Sequence, residues 1–310
     1  MPEPATTSLP PTDAPVPLRS HPGPGWACFW VLIFLVLTQI PGALIASGIM
    51  VLQILFDPER SRQLTEMGVR SYMAAGHATA ALIAGLGTAQ LLTWILGMAI
   101  SRRVLGKTWR QQVGWVATDS FGLAMGMTMG LGIFLFAEGL VHLIRSWVPH
   151  IAGESELQGI FSSWPWWLGV LVIGLGPGIG EELWCRGFLG QGLVKRLGVV
   201  FGVGFTSLLF GIMHIDPAQA IYAAALGVFL HALRLGTGSL VPPMIAHTLN
   251  NSLSMLAVCA DSPARDGLES FEAQVQMHPG LVLLIGCLLC GSVLWLLRNS
   301  RSPNSAGSNP

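Results

Sequence analysis

What this chain has least of is charge. Only 10% of its 310 residues are Asp, Glu, Lys or Arg, and sixteen basic residues cancel sixteen acidic ones. With no net field and no basic stripe interleaved with aromatics, nothing in it fits nucleic acid. Cysteine is sparse and odd in number: Cys28, Cys185, Cys259, Cys287 and Cys290. Scattered in or beside apolar runs, they imply packing and no disulfide framework. The Cys287-x-x-Cys290 spacing would suggest redox or metal chemistry in a soluble protein, but inside a hydrophobic C-terminal helix it reads as structural. No GxxxxGKS or GxxxxGKT loop occurs to cradle a nucleotide, and no HExxH to hold zinc.

What is present in excess is apolar sequence: 52% hydrophobic residues, a mean hydropathy of +0.60 and 38 glycines. Several runs approach or exceed the roughly 20 residues needed to span a bilayer. The expected fold is therefore all-α, a polytopic transmembrane bundle of about eight spans, with glycine serving close helix packing. Residues 1–25, rich in Pro, Ser and Thr, read as a disordered N-terminal tail, 26–298 as one integral-membrane helical domain, and 299–310 as a disordered C-terminal tail. The spans are expected near 26–56, 76–100, 121–144, 164–180, 199–213, 219–233, 240–258 and 280–297. Leu183 to Leu197, with Arg186, Lys195 and Arg196, reads as partly interfacial, and Trp164, Trp166 and Trp167 as an interface belt. The basic 102–110 loop and the C-terminal arginines put both termini on the cytoplasmic side, with the cell (plasma) membrane as the expected address.

Against that background the few polar groups inside apolar runs carry the information, because an intramembrane charge costs roughly 2.5–3.5 kcal/mol on insertion scales. Glu181 and Glu182 stand together, and Glu182 lies four residues before Arg186, the spacing of one helix face. Glu181, rotated by about 100°, is left for a different cavity and would make a general base if held without a cation. Phe210 and His214 are also four apart, as are His247 and Asn251. Three helices can thus aim Glu, His, His and Asn at one place, where Glu181 with His214 activates water and His247 with Asn251 receives the oxyanion. Glu181, His214 and His247 could instead hold a divalent ion such as Zn2+. Singly, each group has a plainer reading: a histidine as interhelical hydrogen bond, Glu182 with Arg186 as a structural ion pair, Asn251 with Asn250 as helix glue. Glu138 and His142, four apart near the end of the third span, read as a helix-end hydrogen bond and stay outside the site.

The stretch Glu181-Glu182-Leu183-Trp184-Cys185-Arg186 fits EExxxR, Phe210 to His214 fits FxxxH, and His247 to Asn251 fits HxxxN. In that order they resemble the three motifs of the CPBP intramembrane proteases, which include the type II CAAX prenyl endopeptidases. The resemblance covers about residues 164–258. It implies an endopeptidase acting on membrane-associated or prenylated-type peptides, with Glu181, His214, His247 and Asn251 catalytic and Glu182, Arg186 and Phe210 in support. The partners implied are a peptide or membrane-protein substrate and the bilayer. A non-catalytic membrane scaffold or immunity protein, or a small proton-coupled transporter using the same polar groups as a relay, are the competing expectations.

Overall fold

A computed structural model describes residues 21–147, 159–214 and 217–300. Among these there is no strand; the helices are α1 (Pro24–Phe56), α2 (Pro58–Ala74), α3 (Thr79–Leu105), α4 (Trp109–Val113), α5 (Ser120–Trp147), α6 (Trp166–Ile212), α7 (Pro217–Thr237), α8 (Val241–Val258), α9 (Arg265–Met277) and α10 (Pro279–Ser300). Large apolar side chains such as Leu44, Leu55, Leu91, Val200, Phe201 and Leu288 point outward, as they must when the surrounding solvent is lipid. The helical membrane bundle is as the composition requires.

The count of eight spans is not reproduced. Six described helical stretches are long and apolar enough to cross a membrane: Pro24–Phe56, Thr79–Val113, Ser120–Ile144, Trp166–Ile212, Gln219–Thr237 and Pro279–Ser300. Two separately expected spans, 164–180 and 199–213, fall within α6, and α8 is helical but too rich in Pro, His, Asn and Ser to qualify by hydropathy. The 47 residues of α6 would measure about 70 Å if straight, more than twice a hydrocarbon core. The helix is not straight. At Gly198 the backbone takes φ 76° and ψ 171°, a conformation open to glycine because it has no Cβ. The chain then doubles back: Gly202 lies directly on the Val194 backbone, and Phe210 reaches Arg186. The two arms are thus an antiparallel helical hairpin with Gly198 at its turn.

The segment Leu183–Leu189, expected at the interface, is instead buried throughout. Aromatics of α1 wall it in: Phe34 stacks on Trp184 at 4.6 Å, and Trp30 meets Trp184 and Phe188 edge-on. The chain emerges only beyond Leu193, where Lys195 and Arg196 are exposed. The tryptophan belt also divides, since Trp164 is buried against Phe161 while Trp167 is exposed. Cys290 packs in the core and Cys287 faces outward, so the two thiols do not share an environment; all five cysteines are free.

Helices α1 and α3 approach through small residues. A Cβ on Gly85 would lie 2.6 Å from the Gly42 carbonyl oxygen and equally close to the Ala46 methyl. Such contact substitutes dispersion for a hydrophobic drive that lipid cannot supply. Ahead of α1, His21 is packed down, its Nδ1 2.9 Å from the Phe188 carbonyl oxygen. Residues 1–20 and 301–310 of the expected tails, and the connection with Glu154 and Glu156, lie outside the described residues.

Two outcomes follow from these contacts. Replacing Gly85 by Leu should overpack the α1–α3 seam and lower stability by roughly 1–3 kcal/mol, read as a fall in melting temperature in detergent. Burial, aided by the nearby charges of Arg196 and Lys195, holds the His21 imidazole below its ordinary value of 6.5, against the raising effect of its carbonyl contact. The unfolded chain therefore binds the proton first on acidification. Stability should be retained above about pH 6.5 and decline below it, and His21→Gln should flatten that part of the melting-temperature profile.

Candidate active site

The glutamates of the EExxxR stretch lie on the proximal arm of α6 between two wider-turn π-helical stretches, Val170–Leu175 and Leu183–Leu189, and Arg186 lies within the second. Such departures from regular helix accumulate at functional sites because they redirect side chains and alter the carbonyl pairing. Glu182 closes the short α-helical turn between them and is fully buried. Its Oε1 accepts a 2.6 Å hydrogen bond from Arg186 Nη1 and lies 2.9 Å from His247 Nδ1. Arg186, also fully buried, lays its guanidinium over the Phe210 ring at 4.1 Å. A buried ion pair survives only with good geometry and further partners; the aromatic face and the imidazole supply both.

Phe210 is the hub of the arrangement. Its ring meets His214 at 5.1 Å and His247 at 5.9 Å, both nearly perpendicular, while Arg186 covers one face. His214, on the distal arm of α6 near its end, has Nδ1 2.9 Å from the Phe210 carbonyl oxygen, so Nε2 is the nitrogen left to work. Glu181 stands apart from the ion pair: it is half-buried, and its Oε2 is enclosed without a hydrogen-bond partner. No hydrogen bond joins Glu181 to His214.

Asn251 arrives from α8 and donates from Nδ2 to the Ile173 carbonyl at 3.0 Å, within the first π-helical stretch. Its Oδ1 accepts from Asn250 Nδ2, and Asn250 Oδ1 accepts from the Tyr222 hydroxyl, both at 2.9 Å. This Tyr222–Asn250–Asn251–Ile173 chain fixes the Asn251 amide. Sequence reasoning missed Tyr222; its signal was rarity, for the chain holds only two tyrosines and this one sits in an apolar helix. Glu138 lies within electrostatic reach of the same hydroxyl. Of the expected set, the structure thus joins Glu182, Arg186, Phe210, His214 and His247 in one contact cluster, with Glu181 adjacent in the chain and Asn251 one helical turn beyond His247.

A divalent ion on Glu181, His214 and His247 does not fit this arrangement. Among the described residues no group of three or more His, Cys, Asp or Glu side chains is gathered to hold a metal.

A buried carboxylate, two histidines and an asparagine thus lie close together inside a helical bundle with several stretches long and apolar enough to cross a membrane. Residues 162–253 match the family described as "Type II CAAX prenyl endopeptidase Rce1-like". The chain is also similar to the "Putative membrane peptidase YdiL" of Bacillus subtilis (strain 168), with 27% identity over 171 residues, 54% of this chain and 68% of that protein. No solved structure matches. Over residues 162–253 the chain thus resembles the CPBP intramembrane proteases, and both matches support an enzyme of the CAAX-protease-like kind.

The ion pair makes a prediction about stability that does not depend on activity. Arg186→Leu would leave the buried Glu182 with His247 as its one remaining partner, at a cost of up to roughly 3–5 kcal/mol. The double variant Arg186→Leu with Glu182→Leu should recover much of that loss, and melting curves of the single and double variants measure it.

Proposed function

We propose that this protein hydrolyses peptide bonds of membrane-associated or prenylated-type peptide substrates with a water activated by Glu181 and His214. The observation that supports it best is the division of labour between neighbouring carboxylates. Glu182 is paired with Arg186 and His247 through Oε1, whereas Glu181 makes no ion pair or hydrogen bond among the described residues and is free to take a proton from water; the Oε2 of each carboxylate is enclosed without a partner. The water oxygen attacks the scissile carbonyl carbon as Glu181 accepts the proton, with His214 Nε2 orienting the water. The proton then passes to the leaving amine as the carbon–nitrogen bond breaks.

His247 and Asn251 receive the oxyanion. With Nδ1–H donating to Glu182, His247 presents Nε2, which donates only when the ring is an imidazolium; the Glu182 carboxylate is the counter-charge for that form. Asn251 has spent one amide hydrogen on Ile173 and retains the second. Donors fixed before the reaction stabilise the developing charge without reorganising, and losing one costs about 10²–10³ in rate. For orientation, the basic Arg102, Arg103, Lys107 and Arg110 support the reading that this end of α3 and both termini face the cytoplasm, with the cell membrane as the proposed address.

The test uses the full chain in detergent with membrane-tethered fluorogenic peptides. Glu181→Gln and His214→Ala should each lower kcat by about 10²–10⁴ with the fold intact, and Asn251→Ala by about 10²–10³. A strong chelator should leave the rate unchanged, since no ligand cluster is assembled. Wild-type rates in a folded Glu181→Gln protein would end this reading.

A further inference from the structure

Around Arg186, three helical segments, the two arms of α6 and α7, carry buried polar atoms that bond to nothing. Arg186 has Nε and Nη2 enclosed without partners. His231 of α7 is fully buried, and neither ring nitrogen makes a hydrogen bond. Ser207 of the distal α6 arm is buried with an unpartnered Oγ.

Packing brings the segments that carry them together. His231 lies against Gly190, one turn beyond Arg186 on the proximal arm, where a Cβ would come within 2.3 Å of the imidazole Cε1. Glycine at 190 therefore leaves the room that the ring fills. Four residues earlier on α7, Gly227 lies against Ser207, and Ser207 is one turn from Phe210, whose ring carries the guanidinium. Arg186 and Arg234 both lie within electrostatic reach of the imidazole.

Five enclosed donors and acceptors without partners would each cost about 1–3 kcal/mol if dry. Buried polar groups of this kind are bridged by internal water, each water making about three hydrogen bonds. We infer that Arg186, His231 and Ser207 enclose a hydrated chamber, and that His231 acts through its water as a positioning residue for the Arg186–Glu182–His247 array. The ring nitrogens, one donor and one acceptor, link water to the guanidinium's spare N–H groups. Arg186 is thereby held at both ends: Nη1 on Glu182, Nε and Nη2 on water.

This role rests on the peptidase reading, but the chamber itself does not. His231→Leu in the full chain should lower kcat about tenfold and shift the pH–rate profile while leaving KM unchanged. His231→Gln, which can still donate and accept, should restore most of the rate. A wild-type structure at a resolution that shows water should carry ordered density between Arg186 and His231, lost in His231→Leu. Wild-type kcat and pH profile in His231→Leu would overturn the positioning role, and absence of water density in the wild type would overturn the chamber. Should the wild type cleave no peptide, the peptidase reading is what fails, and the density alone then decides the chamber.

Discussion

The carboxylate of Glu182 is the point on which the interior depends. Removing a carboxylate and a guanidinium from water costs several kcal/mol for each ion, and apolar surroundings return none of it. The cost is offset because Arg186, His247 and Phe210 come together at fixed geometry, the first on the same arm of α6, the others on α8 and the distal arm. Three backbone segments are thus pinned relative to one another by a single charge. The same arrangement separates two carboxylates adjacent in sequence, one quenched and one free.

Everything around the pair serves to keep it there. The aromatic wall from α1 seals Trp184 and Phe188, and α3 packs beside it, with Trp94 Nε1 donating to the Gly176 carbonyl at 2.7 Å. Close contacts at Gly42 and Gly85 draw α1 onto α3. Asn251 ties α8 to the π-helical stretch just ahead of the glutamates. These contacts are individually small, but in lipid they are what fixes a helix rotation, and rotation decides whether a side chain meets its partner or the bilayer.

Part of this was legible in the chain. Apolar runs announce a helical bundle, and the four-residue spacing from Glu182 to Arg186 announces their pair, because both depend only on composition and helical period. The burial of Leu183–Leu189 was not legible: Arg186 looked like a residue bound for the headgroups, and only the contacts from α8 and the distal arm reveal its charge to be satisfied inside. The span count is left unconfirmed at α6 and α8 for a related reason. A hydropathy window sees neither the reversal at Gly198 nor a helix kept polar for its work. His231 carried no signal at all, since what singles it out is the absence of hydrogen-bond partners, a property of the packed state.

The reversal at Gly198 also limits how such a chain can change. Arg186 and Phe210 are each twelve residues from the turn, and Val194 and Gly202 each four, so the arms are in matched register. One residue inserted into either arm would swing everything beyond it by about 100° and carry Phe210 off the guanidinium. Length in this hairpin is therefore quantised in whole helical turns, or must be added at the bend itself, where no side chain has a counterpart to lose.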